Sequence, residues 1–567
     1  EEPTEPEGEE PADPEEPTEP EGEEPADPEE PTEPEEPAAP EEQPELTDLQ
    51  AVRFTQQATF GASAEDLEAL KAQGIDAWIS EQVDMPFHPY MERIREGAET
   101  DWMTARELKA LFWERAIHAD DQLRQRMAYA LSQIVVVSMA DLTLQTHARA
   151  FSVYTDLLQE EALGNYCDLV RDVSFNPAMG LFLTHLGNPK TDEETGFVPD
   201  ENFAREIMQL FTIGLEDLDS QGRGLGTETY TAEDVQGLAA IFTGLSWADT
   251  DFFNPAVTDF NRYLPMESFL AQHEEAPKSF LGTTIDLGND AVISINAALD
   301  HLLAHPNVAP FISKQLIQKL VTSNPSPEYV GRVATAFEAG QYQLSNGDIV
   351  GSGRRCDLAA TAAAILSDPE ARLLPEDPNA GKIRNPVLRL ASFLRAFRVD
   401  QEVTTSGEIP VARVLDNLES GRNFGINAFV SPSVFNFFRP GYVGPGTESA
   451  EAGLVTPEYQ IATTPAMVGY INVMEDFIDG PASVQGARNV VDTDLSALEL
   501  LADDPAALVA EVDRLLTGGE LSAENRQFIE ETVALVEAGW NPDVERRRRA
   551  EMALLMTVVS PEFMVQR

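Results

Sequence analysis

The stretch Asp200–Gly214, DENFAREIMQLFTIG, decides how the rest of the chain is read. At about 100° per residue, Asn202, Arg205, Glu206 and Gln209 share roughly a third of a helix circumference. Phe203, Ile207 and Leu210 line one flank of that stripe, and Ala204, Met208 and Phe211 the other. Apolar side chains on both flanks predict a helix packed on two sides, with Asp200 as its N-cap and Gly214 as its stop. The polar stripe must then find partners, because an unpaired buried polar group costs about 1–3 kcal/mol. Two resolutions stay open. In one, Asn202, Arg205 and Glu206 tie this helix to its neighbours. In the other, Glu206 is a general base or metal ligand, with Asn202 one turn earlier orienting a substrate or water and Arg205 and Gln209 as further binding residues.

The same period recurs on either side. Apolar residues at i, i+3 and i+4 predict helices over 48–59, 64–84, 102–118 and 120–140 before the central stretch. After it they predict 293–304, 307–321, 327–339, 356–367, 382–397, 410–419, 457–478, 504–517, 521–538 and 543–559. Thr231 with Asp234 reads as a capping box opening AEDVQGLAAIFTG. Residues 246–292 are the least helical, and a hairpin is expected within 262–285. Ser220–Gly226 and Gly340–Gly353 read as loops, the second as a boundary between lobes 47–340 and 354–567. The fold class expected is therefore mainly α, a large multi-helix body over 47–567 with a small irregular or β-hairpin insertion.

Residues 1–46 are different in kind. Two identical copies of EEPTEPEGEEPADP and a degenerate third place 22 Asp or Glu there and no Lys or Arg. Alternating Pro and Glu has little apolar surface to bury and repels itself, so an extended, disordered stalk is expected. The rest is acidic too, with 77 acidic against 38 basic residues. Such a surface disfavours phosphate backbones and anionic lipid, which argues against a nucleic-acid partner. No apolar run reaches the roughly 18 residues of a membrane-spanning helix. The chain begins at Glu1 rather than Met, which is compatible with a targeting segment removed upstream.

Chemistry-bearing residues outside the central helix are few. His273, Glu274 and Lys278 stand in the irregular segment, where binding residues concentrate, with a solvated loop histidine as the plain alternative. His301 and His305 have zinc-helix spacing without the Glu of H-E-x-x-H, and Pro306 follows at once, so no metal site is assigned. The run GRGLG is not followed by GK[ST], and no G-x-S-x-G elbow occurs, so no cofactor is assigned. Asn436 and Arg439 lie in an aromatic run, Phe435 to Tyr442, that is either a sugar-stacking platform or core. Arg546–Arg549 are expected to pair within the molecule.

With these motifs in place the body resembles the bacterial domain-of-unknown-function 1800 family. The match is carried, in order, by RFTQQATFGAS, GNYCDLVRDVSFNPAMG, DENFAREIMQLFTIG, TYTAEDVQGLAAIFTG, HEEAPKSFLG and HPNVAPFISKQLIQKLVTSNPSP, and then by GKIRNPVLRL, SPSVFNFFRPGY and SPEFMVQR. It departs at Gln209 and Glu274, where many relatives have Glu and Asp. The resemblance implies an exported, mostly helical bacterial protein, commonly encoded beside a second exported family, and it supplies no activity. Cys167 and Cys356 stand inside matching segments at positions where relatives are expected to differ, each before an Asp-Leu pair. Together in an exported chain they suggest a disulfide, with free buried thiols as the alternative.

The function expected is a surface or extracellular interaction protein held on its acidic stalk, with a co-encoded exported protein or an extracellular polymer as partner. The alternative is an extracellular hydrolase of a polymer, using Glu206 and His273, with Asn202, Arg205, Gln209, Lys278, Asn436 and Arg439 as binding residues. The sequence fixes no oligomeric state.

Overall fold

A computed structural model describes residues 46–89, 105–286, 290–375, 380–398, 418–420, 423–479, 493–537 and 541–567. The acidic stalk and most of the helix expected over 410–419 lie outside the described residues. Residues Glu45–Arg567 pack as one unit. The chain runs through α1 (Asp48–Ala58), α2 (Ala64–Gln73), α3 (Ile75–Asp84), α4 (Ala105–His118), α5 (Gln122–Ser132), α6 (Leu142–Gln145), α7 (Ala148–Glu160), α8 (Tyr166–Ser174) and α9 (Pro177–Phe182). The central helix α10 (Asn202–Gln209) is followed by β1 (Glu216–Leu218), β2 (Gly224–Glu228), α11 (Ala232–Ile241), β3 (Leu245–Ser246), β4 (Glu267–Ser268), β5 (Lys278–Phe280) and β6 (Thr283–Ile285). Next come α12 (Ala291–Leu303), α13 (Val308–Leu320), α14 (Pro327–Ala339), β7 (Tyr342–Gln343), β8 (Ile349–Val350), α15 (Leu358–Ser367), α16 (Pro369–Arg372), β9 (Lys382–Ile383) and α17 (Pro386–Ala396). The last third is α18 (Glu448–Glu451), α19 (Thr464–Asp479), α20 (Ser496–Leu501), α21 (Pro505–Thr517), α22 (Ala523–Ala534), α23 (Pro542–Val558), α24 (Pro561–Met564) and β10 (Val565–Gln566). Every sheet among the described residues is a two-stranded antiparallel ladder, so the body is mainly α as the periodicity predicts.

Local chemistry sets the helix starts. Thr47, Ser63 and Thr231 each close a capping box with the residue three further on, and Thr231–Asp234 is the box expected from the sequence. Helices α9, α14, α16, α17, α21, α23 and α24 begin with Pro behind an Asn, Ser or Asp whose side chain accepts from the first turn.

Several helix ends are closed by an arginine from elsewhere. Arg124 donates to Gln159 O at 3.1 Å at the end of α7, Arg126 to Lys319 O at 2.7 Å on α13, and Arg395 to Ile117 O at 2.7 Å on α4. Arg547 reaches Ile478 O on α19 and Arg549 reaches Ala502 O beyond α20, each at 3.2 Å. The last carbonyls of a helix lack internal partners and carry the negative end of its dipole, and a guanidinium fork answers both needs. Arg546 pairs with Asp503, Arg547 with Glu499 and Glu551, and Arg549 with Glu545, the intramolecular pairing expected for that run.

Some boundaries move. The helix expected over 64–84 is two, broken at Gly74, whose φ is +82°. The helix expected over 120–140 stops at Ser132, because Ile134–Val137 is a continuous apolar run buried on all sides rather than an amphipathic face. Of the expected loop Ser220–Gly226, residues 220–223 form the turn of the β1–β2 hairpin, where Asp219 Oδ1 accepts from Gln221 N and Arg223 N at 2.9 Å, and residues 224–226 belong to β2. The expected hairpin is β5–β6. It lies so close on α11 that a Cβ at Gly237 would sit 1.8 Å from Ser279 O.

Candidate functional site

The central helix is shorter than the sequence suggests: its N-cap is Glu201, with no side-chain cap, rather than Asp200, it ends at Gln209, and its polar stripe divides. Asp200 Oδ1 accepts from Asn202 N at 2.9 Å, and Gly214, at φ +73°, ends the segment with its α-carbon facing the Phe311 ring. Phe203 meets Phe242 of the α11 end at 4.8 Å between ring centroids and stacks on the His185 ring at 3.9 Å. His185 Nε2 donates to Ser174 O at 3.0 Å, and burial pulls its pKa down to about 4, so it is a neutral core imidazole.

Asn202 is exposed, and Arg205 leans out to pair with Glu201 at 2.9 Å rather than with Glu206. Gln209 Oε1 accepts from Tyr230 Oη at 3.3 Å. Glu206 alone of the stripe is buried, and its Oε2 has no hydrogen-bond partner among the described residues. Burial pushes its carboxyl pKa up, against a smaller opposing pull from Arg205. The mutual Asn202–Arg205–Glu206 network is therefore not what the fold contains.

His273 is fully buried rather than a solvated loop residue. Its Nδ1 lies 3.0 Å from Thr243 O and its Nε2 3.0 Å from Ser294 Oγ and 3.2 Å from Lys278 Nζ. Lys278, also buried, donates to Glu274 O at 2.7 Å. Burial lowers the pKa of both His273 and Lys278. Among the described residues no hydrogen bond or ion pair joins this knot to Glu206. Asn436 is buried at φ +61° with Nδ2 unpartnered, Arg439 is exposed, and of the neighbouring rings Phe438 is core while Phe435 is exposed.

An open concavity lies elsewhere. A cleft of about 730 Å³ opens between α3, the turn Glu161–Leu163, the start of α8, the β7–β8 hairpin and the start of α15. Among the described residues Asp84, Glu161, Asp168, Asp348 and Asp357 line it, with Arg354 as the one cation. Its floor is a crossing of two segments: Asn165 and Asp357 form an antiparallel bridge, Tyr166 N donates to Cys356 O and Leu358 N to Gly164 O, both at 2.8 Å. A disulfide between Cys167 and Cys356 locks that crossing, with Cα atoms 5.7 Å apart. The bond joins the two cysteines whose joint departure from the family pattern suggested it.

Four of the five carboxylates in the cleft have a partner within the chain. Asp357 caps α15 through Ala360 N at 2.8 Å and holds Ser352 N and Oγ at 2.7 Å. Asp168 pairs with Arg354 at 2.9 Å, and Asp348 accepts from Ser80 Oγ at 3.0 Å. Glu161 Oε2 accepts from Asn165 N at 2.6 Å, yet burial, reinforced by the charges of Asp168, Asp172 and Glu160, pushes its carboxyl pKa up. The hydroxyls present are bound to carboxylates, so the cleft offers acceptors and negative potential rather than a nucleophile with its base. Among the described residues no three His, Cys, Asp or Glu side chains are placed to share a metal ion. None of these lining residues stood out in the sequence, although the repeated Cys-Asp-Leu contained two of them.

A family model described as "Protein of unknown function (DUF1800)" matches residues 53–565. No curated protein and no solved structure matches the chain.

Proposed function

The chain belongs to the domain-of-unknown-function 1800 family, and from that premise we propose that it is an exported binding protein whose helical body takes an extracellular ligand in the disulfide-locked cleft. The observation that carries this reading is the cleft itself: an open concavity of about 730 Å³, four of whose five carboxylates are held by hydrogen bonds or an ion pair within the chain before any ligand arrives. Such preorganisation lowers the ordering cost of binding. Five carboxylates against one guanidinium favour a ligand rich in hydroxyl or ammonium donors, and repel polyanions. The Cys167–Cys356 bond supports an oxidising location. No helix of the described residues is long and apolar enough to cross a membrane, and the acidic repeat at the start of the sequence has the composition of a spacer.

The test is retention of the full chain on immobilised chitosan, cellulose and alginate, which are cationic, neutral and anionic polymers. Retention on chitosan or cellulose, lost in an Asp168→Asn/Asp348→Asn variant, is the expected result. No retention on either, or equal retention by the variant, overturns the assignment of the cleft. The hydrolase alternative rests on Glu206, whose unpartnered, burial-raised carboxyl has the character of a general acid. Release of soluble sugar from these polymers, abolished by Glu206→Gln, is the result that would favour it.

A further inference from the structure

Five cations meet in the interior, far apart in sequence. Arg126 comes from α5, Lys319 from the last turn of α13, Lys382 from β9, Arg384 from just beyond it and Arg389 from α17, and all are more than nine-tenths buried. They sense one another as a chain: Lys319 feels Arg126 and Lys382, and Arg384 feels Arg126 and Arg389. The grouping runs against composition. The sequence contains seven lysines in 567 residues, and two of them are buried here.

Carboxylates do not balance this group. Glu458 is buried with them and forms an ion pair of 2.5 Å with Lys382, and it is the one carboxylate whose charge Arg126 and Lys319 both feel among the described residues. Backbone carbonyls take part of the remaining capacity: Lys319 O accepts from Arg126 and Phe563 O from Arg384. Among the described residues the Nε atoms of Arg126, Arg384 and Arg389 remain buried with no hydrogen-bond partner. Lys319 Nζ has no hydrogen bond or ion pair among the described residues, and faces the Phe438 ring at 4.8 Å.

A buried cation without counter-charge is relieved by losing its proton or by gaining an anion. Lysine can take the first route, and burial does hold Lys319 near 7. Arginine does not, because its guanidinium stays charged throughout the working pH range. Arg126 and Arg384 therefore call for an anion, and their unused N–H groups have the planar geometry that binds tetrahedral oxyanions. We propose that Arg126, Lys319 and Arg384 form an internal site for a small oxyanion, phosphate or sulfate. This site is separate from the acidic cleft, and opposite to it in ligand charge.

The test is thermal unfolding of the full chain at pH 7 in sodium phosphate, sulfate or chloride at matched ionic strength, for the parent and for Lys319→Met. Lys319→Met removes a buried charge while keeping the stem volume. The expected result is a saturable rise of the parent's midpoint in phosphate or sulfate, with at least a tenfold weaker apparent affinity in Lys319→Met. The anion that saturates at lower concentration is the preferred one. A rise that is unsaturable and equal in both proteins is general salt exclusion and overturns the proposal, as does no rise. Should Lys319→Met fail to fold, equilibrium dialysis of the parent against radiolabelled phosphate and sulfate decides: one anion bound per chain supports the site, and none bound overturns it.

Discussion

Cys167 and Cys356, 189 residues apart in sequence, are joined by a disulfide, and the residue after each of them, Asp168 and Asp357, lines the same cleft. The covalent link and the binding surface are thus one construction. The bond spans the antiparallel bridge between Asn165 and Asp357, so it fixes the spacing of the two carboxylates as well as the two chain segments.

Breaking that bond should loosen both. Closing so long a loop is worth up to about 5 kcal/mol in the unfolded chain, as an upper bound. Cys167→Ser, Cys356→Ser or incubation with reductant is expected to lower the thermal midpoint, and polymer retention should weaken with it. Peptide mapping without reductant must recover the linked Cys167–Cys356 peptides; recovery of both thiols free removes the basis of the prediction.

Glu206 behaves differently from what the helical wheel suggests. Because Arg205 is paired with Glu201, truncating Glu206 does not strand a buried guanidinium. The folded-state pKa of Glu206 is raised by burial, so its ionisation opposes folding as pH climbs above the unfolded value near 4.5. Glu206→Gln should therefore leave the midpoint at pH 7 unchanged or slightly higher, with the gain shrinking toward pH 4.5. A fall of several degrees for Glu206→Gln at pH 7 contradicts this account.

How much of this the sequence held depends on the range of the interaction. Thr231 and Asp234, three residues apart, announce their capping box because both partners sit in one turn. The wheel through Asn202, Arg205, Glu206 and Gln209 gives the correct angles, yet angle is not exposure: Arg205 reaches out to the preceding turn while Glu206 stays in. His273 reads as a loop residue and is buried, because its surroundings come from Thr243, Ser294 and Lys278 on three other elements. Nothing local distinguishes Lys319 from a surface lysine. Its neighbours Arg126, Lys382 and Glu458 are brought to it only by the tertiary fold.

Lys382 and Glu458 supply the sharpest stability test. Both side chains are buried and their charged atoms are 2.5 Å apart. Glu458→Gln leaves Lys382 as an uncompensated internal charge among cations already short of counter-charge, which should cost about 3–5 kcal/mol. The double variant Lys382→Met/Glu458→Gln should recover most of that loss in chemical denaturation. A single variant as stable as the parent would falsify the pairing.

Lys319 should leave a signature in the pH dependence of stability. Burial brings its pKa down from 10.5 to about 7; Lys382 and Arg126 reinforce the shift, and Glu458 opposes it. Between those two values the unfolded chain binds a proton that the folded chain does not, so raising pH from 7 toward 10.5 favours folding. Lys319→Met carries no such proton. In buffers free of phosphate and sulfate, the parent's unfolding free energy should gain on that of Lys319→Met by roughly 1–3 kcal/mol between pH 7 and 9.5. Denaturant melts of both proteins at pH 7, 8.5 and 9.5 measure the difference directly, with titrations common to both cancelling. If the two curves run parallel, Lys319 keeps its proton in the folded state, and the uncompensated charge assigned to it must already have a partner.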